Sequence, residues 1–173
     1  MDTDLELKFK VAADINPDDD NKPSPLFIRM YELKSTRMFK KANFIDIYEK
    51  DKEVLGADMI SKQRLKRMKP GESRNENFVL DKGTRYVGLY AEFLQYKKSG
   101  FKLLIPVVPT NVIGTSAKIL LASNKMINLD ANNDIENDKT QKAKLKKTAE
   151  KTKESADNAN AAAEKANKLK SLF

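Results

Sequence analysis

Apolar and polar positions alternate at the start of the chain, with Leu5, Leu7, Phe9 and Val11 interleaved by Glu6, Lys8 and Lys10. A period of two places successive side chains on opposite faces of an extended backbone, so this pattern predicts a half-buried strand. Over residues 14–25 the alternation stops, and Asn16-Pro17 and Pro23-Ser24-Pro25 flank Asp18-Asp19-Asp20. It resumes over 26–33 as a second strand. Ser35 or Thr36 is then placed to cap a short helix whose apolar positions Phe39, Ala42, Ile45 and Tyr48 recur at spacings of three and four.

Further along, residues 59–68, the turn Lys69-Pro70-Gly71-Glu72 and residues 74–80 read as strand, tight connection, strand. Residues 85–96 and 101–108, separated by Lys97-Lys98-Ser99-Gly100, predict a central hairpin. In its first arm Tyr86, Tyr90 and Tyr96 share one parity, suited to covering lysine stems or a neighbouring helix, and Val87, Leu89, Ala91 and Phe93 share the other. A loop over 109–116 leads into a last strand at 118–129. Six or seven short strands separated by turn signals predict a mainly β fold, a two-sheet antiparallel sandwich with a short helix after strand two.

From residue 132 the composition changes to Ala, Lys, Glu, Asn and Asp, with no proline or glycine. Ala149, Thr152, Ala156, Ala159, Ala163 and Ala166 repeat at spacings of three and four, which predicts a helical extension with a small-residue seam. The expected division is a sandwich over 1–130 and an extension over 131–173.

The chain of 173 residues contains neither cysteine nor histidine. That removes thiol nucleophiles, Ser-His-Asp triads, disulfides and the usual zinc and haem ligands. Although the formal charge is +8, lysines are interleaved with acids, and the one basic run, residues 62–69, alternates like a strand with a solvated face. No nucleic-acid partner is expected. Asp14, Asn16 and Asp18 begin like a calcium loop, but Asp19 stands where glycine is needed and Pro25 where a bidentate glutamate is needed. The glycines stand alone, without a phosphate-binding loop. The acid pairs Glu49/Asp51 and Glu72/Glu76 read as solvated surface acids, so no catalytic residue, metal or cofactor is expected and the chain is not read as an enzyme. No segment has the roughly 18 apolar residues of a membrane span, and Met1-Asp2-Thr3-Asp4 lacks the features of a signal peptide.

The 14–25 segment is longer than the usual interstrand connection of about 4 to 6 residues. Prolines restrict its backbone and aspartates charge it, a combination suited to a preformed recognition finger. The candidate partner-binding residues are Asn16, Pro17, Asp18, Asp19, Asp20, Asn21, Lys22 and Pro23.

The order of "NPDDDNKPSP", "LFIRMYELKS", "FKKANFIDIYEKDKEVLGADM", "MKPGES" and "TRYVGLYAEF" resembles the TssJ family, the outer-membrane lipoproteins of the bacterial type VI secretion system. The resemblance covers residues 5–108. It implies a transthyretin-like sandwich without catalytic activity, held at the periplasmic face of the outer membrane by an N-terminal lipid. It also implies that the loop between strands one and two, residues 14–25 here, binds the periplasmic C-terminal domain of the inner-membrane protein TssM. The acylated cysteine of the family is absent from this chain, Phe101-Lys102 stands where the family often has tryptophan, and the resemblance does not extend to 132–173. From another functional class, a transthyretin-like periplasmic carrier of a small ligand is the alternative, and it would need an apolar pocket lined by residues such as Phe93 and Leu103.

Overall fold

The alternating segments form two stacked four-stranded sheets in the computed structural model, which describes residues 3–108 and 114–131. One sheet holds β1 (Thr3–Val11), β4 (Ser73–Leu80), β7 (Thr115–Ala122) and β8 (Lys125–Asn128) in the order β4-β1-β7-β8. The other holds β2 (Ile28–Leu33), β3 (Met59–Arg64), β5 (Tyr86–Ala91) and β6 (Lys102–Pro106) in the order β3-β2-β5-β6. The chain divides into two units, Met1–Asp130 and Ala131–Phe173. Apart from Ala131, the expected helical extension and its alanine seam lie outside the described residues, as does most of the expected 109–116 loop.

The inward parity of β1, Leu5, Leu7, Phe9 and Val11, meets Val87, Leu89 and Ala91 of β5 in the inter-sheet core. Of Phe93 and Leu103, which a ligand carrier would use to line a pocket, Phe93 is buried in this core and Leu103, partly buried, packs against it. A second apolar layer covers the outer face of β2 and β5. There Tyr31, Leu33 and Tyr90 pack against helix α1 (Arg37–Lys41) and helix α2 (Phe44–Leu55) through Phe39, Phe44, Ile47 and Leu55. The tyrosine parity of β5 thus lies beneath helices. Gly88 makes the close approach possible, because a Cβ there would sit 2.9 Å from two Phe39 ring atoms.

Several local expectations change. The predicted single helix is two helices, because Asn43 caps α2 by accepting from the Asp46 amide at 2.9 Å. The buried face of α2 is Phe44, Ile47, Asp51 and Leu55, whereas Ile45 and Tyr48 are exposed. The predicted last strand is a hairpin, broken at Ser123, whose φ is 49°. Strands β3 and β4 belong to different sheets, and the segment between them crosses the core edge on the buried Leu65 and Met68. Within that crossing, Gly71 takes φ 76°, the conformation that a Pro-Gly turn requires. The β5/β6 hairpin forms, with β6 at the sheet edge and β5 ending at Ala91. Between the named strands pairing is antiparallel except for β1 and β7, which run parallel. That pairing is open to them because the whole second sheet connects one to the other.

Candidate docking site

Between β1 and β2 the chain enters the loop through Ile15, which is fully buried and plugs the end of the core. Asn16 follows with φ 49°, a left-handed conformation that asparagine tolerates better than most residues. Its side chain is spent inside the protein. Nδ2 donates to the Pro25 carbonyl at 3.0 Å, and Oδ1 accepts from the Leu94 amide at 2.9 Å. The Asn16 amide donates to the Ser123 carbonyl at 2.8 Å, and the Ser24 amide closes the neck by donating to the carbonyls of Ile15 and Asn16, each at 3.1 Å.

The tip is ordered by Asp18. Its Oδ1 accepts from the amides of Asp20 and Lys22, both at 2.9 Å, which is the turn an aspartate at this position favours. The Asp18 amide donates to the Lys22 carbonyl at 2.9 Å, and Asn21 closes the turn with φ 59°. From the second sheet's side, Gln95 Nε2 donates to the Asp18 carbonyl at 2.8 Å. Asp19, Asp20, Asn21, Lys22 and Pro23 are exposed, Pro17 and Asp18 are half-buried, and Asn16 is buried. Among the described residues no ion pair involves Asp19, Asp20 or Lys22, and all three are exposed.

The eight candidate residues therefore divide into a buried pin, a turn-former and an exposed tip. Sequence reasoning missed the residues that seat the loop, Leu94, Gln95 and Ser123. They are distant in the chain, and no local motif marks them.

Of the two acid pairs, Glu49 is an exposed surface acid as expected, whereas Asp51, Glu72 and Glu76 are not solvated surface acids. Asp51 accepts from Tyr31 Oη at 2.8 Å and Lys62 Nζ at 2.7 Å, and it lies 3.6 Å from Arg29. Burial alone would raise its carboxyl, but the hydrogen bonds from Lys62, Tyr31 and the Lys52 amide outweigh burial and hold it below the usual carboxylate range. Arg29 also donates to Glu92 at 2.8 Å. Glu72 pairs with Arg74, which also reaches Glu76 at 3.0 Å. With each of these carboxylates engaged by a cation, the clusters fasten strands and helix together. Among the described residues no group of acids is arranged to hold a metal ion, and no helix is long and apolar enough to cross a membrane.

Several solved structures share this architecture. TssJ1, a type VI secretion lipoprotein from Pseudomonas aeruginosa, superposes with a TM-score of 0.68 at 22% identity, over 75% of this chain and 96% of that one. A chain of a type VI membrane complex gives 0.64 at 25% identity, over 75% and 99%. A chain in a structure of the type VI protein TssM C-terminal domain from EAEC gives 0.59 at 22% identity, over 75% and 98%. Compared with curated proteins, the sequence matches none. The family model described as "Type VI secretion lipoprotein, VasD, EvfM, TssJ" matches residues 3–150, nearly the whole sandwich and the first part of the extension. The chain belongs to the type VI secretion lipoprotein family, the group that includes TssJ.

Proposed function

We propose that the protein is a non-catalytic assembly component that tethers the type VI membrane complex to the outer membrane. It sits at the periplasmic face of that membrane through an N-terminal lipid and grips the periplasmic C-terminal domain of TssM with the β1–β2 loop. The observation that carries this reading is the loop itself: an exposed, charged tip at 19–23 held by internal hydrogen bonds of Asn16, Asp18 and Gln95. A loop already ordered loses little conformational entropy when a partner closes on it, and exposed carboxylates select a basic counterpart. Family membership and the likeness to chains in a type VI membrane complex and a TssM structure support the choice of partner. The contacts fall on Pro17, Asp18, Asp19, Asp20, Asn21, Lys22 and Pro23, with Asn16 acting from beneath.

Calorimetric titration against the TssM periplasmic C-terminal domain at two salt concentrations tests the reading. Saturable binding, micromolar or tighter, that weakens with salt and weakens again in the double variant Asp19→Ala/Asp20→Ala is expected. Absence of binding at both salt concentrations overturns it.

A further inference from the structure

Beside the loop lies an open cleft of about 400 Å³ lined by Pro25, Phe27, Phe44, Ile45, Leu94 and Tyr96, with Tyr48 at its edge. Four of its lining side chains are large, apolar and solvent-exposed: Leu94 at 58%, Tyr48 at 50%, Ile45 at 41% and Phe27 at 38%. Exposed apolar side chains scattered singly are ordinary, but a contiguous set in a concave surface marks an interaction site. The floor is rigid. Phe44 stacks on Tyr96 with ring centres 4.3 Å apart and on Tyr48 at 5.9 Å.

Among the described residues the one charged group lining this groove is Glu92, and it is neutralised by Arg29 and Arg64, each donating at 2.8 Å. The groove therefore offers no free charge to an occupant, which fits an apolar side chain. Asn16, Ser24 and Pro25 of the loop form one wall. Leu94, which also lines the groove, donates its amide to Asn16, and the adjacent Gln95 donates to Asp18. Loop and groove are thus one mechanical piece, and a partner that closes on the tip covers the mouth of the groove. Leu94 and Tyr96 also line a neighbouring cleft that carries the charged residues Asp19, Lys97 and Lys98.

We propose that this groove is the second half of the docking face and receives one large apolar side chain, Leu, Ile, Met or Phe, from the segment of the TssM periplasmic domain that runs alongside the loop. The proposal rests on the partner assigned above. In this division of labour the aspartates of the tip set selectivity and salt dependence, and the groove supplies the desolvated anchor that dominates affinity.

The test is titration of the full chain and its variants with the TssM periplasmic C-terminal domain. The variants Ile45→Ser and Leu94→Ser are compared with Asp19→Ala/Asp20→Ala, and Val79→Ser serves as a control because that exposed residue lies on β4 of the other sheet. All replaced side chains are exposed, and unchanged thermal unfolding shows that the variants are folded. Each groove variant is expected to weaken binding by about tenfold, and the control to stay within about twofold of the parent. Groove variants that bind like the parent, while the loop variant fails, overturn the groove and leave the loop reading intact. The reverse pattern supports the groove and removes the loop. A parent chain that does not bind removes partner and occupant together. Groove variants that convert a dimer of this chain to monomers in sedimentation, with partner affinity unchanged, assign the groove to a second copy and overturn the proposal.

Discussion

Asp51 shows how a residue's role depends on neighbours that the chain does not place beside it. Tyr31 comes from β2 and Lys62 from β3, and both reach the Asp51 carboxylate, at 2.8 and 2.7 Å. From sequence the residue is one acid among lysines on a helix, and it reads as solvated. In the fold it is nearly buried, and its pKa lies below the ordinary 3.8 because hydrogen bonds outweigh the cost of burial. A carboxyl with a depressed folded-state pKa contributes stability above its unfolded pKa, and that contribution is lost as pH falls through the folded value. The urea stability of the parent is therefore expected to drop as pH is lowered below about 4. Asp51→Asn should be less stable at pH 7 by about 1–3 kcal/mol, with a flatter pH profile in that acid window. Glu72, also held low against burial by the Lys69 amide and Arg74, leaves part of the acid dependence in place. Parallel pH profiles for parent and variant would show that Asp51 is not a source of it.

Among the elements, strands with strict alternation were legible and helix boundaries were not. β1 carries its own period and needs no other information, so its inward set was readable from Leu5, Leu7, Phe9 and Val11. The spacing predicts one continuous helical face capped by Ser35 or Thr36, and of these two Ser35 accepts from the Arg37 amide through its Oγ at 3.3 Å. In the fold, Thr36 makes no side-chain capping bond, and the chain leaves the helix at Ala42 and starts again at Asn43. The signal that marks this restart was present. Asn43 and Asp46 form a capping box, with the Asn43 amide donating to Asp46 Oδ2 at 3.4 Å. The spacing of Phe39, Ala42 and Ile45 concealed it by carrying a plausible helical period straight across the break. Asn43→Ala should cost about 1 kcal/mol, read as a lower urea midpoint with an unchanged slope. A midpoint equal to the parent's would mean that the packing of Phe44 and Ile47 alone holds the start of α2.

On the scale of the whole molecule, the 14–25 loop is seated on both sheets at once. On the side of β7, the Ala12 amide donates to Leu121 and the Asn16 amide to Ser123, both at 2.8 Å. On the side of β5, Leu94 and Gln95 hold Asn16 and Asp18 across 78 and 77 residues of chain. The existence of a long, stiffened loop was legible from its prolines and its length, but its seating was not, because it depends on residues that approach only when the sheets have stacked. Asn16→Ala should test this arrangement directly. The substitution leaves the Leu94 amide and the Pro25 carbonyl without their partner and puts alanine at φ 49°, where its Cβ is strained, so a loss of about 2 kcal/mol or more is expected. Hydrogen exchange separates the local effect from the global one. If Asn16 orders the loop, amides of 18–22 exchange faster than the global destabilisation accounts for, while amides in β1 and β5 follow that destabilisation alone. Partner affinity then falls even though Asn16, only 2% exposed, has almost no surface to offer, because the tip must be re-ordered on binding. Loop amides that slow and speed only in step with β1 and β5 would place the origin of the order in the prolines and the Asp18 turn, leaving Asn16 as a core residue and nothing more.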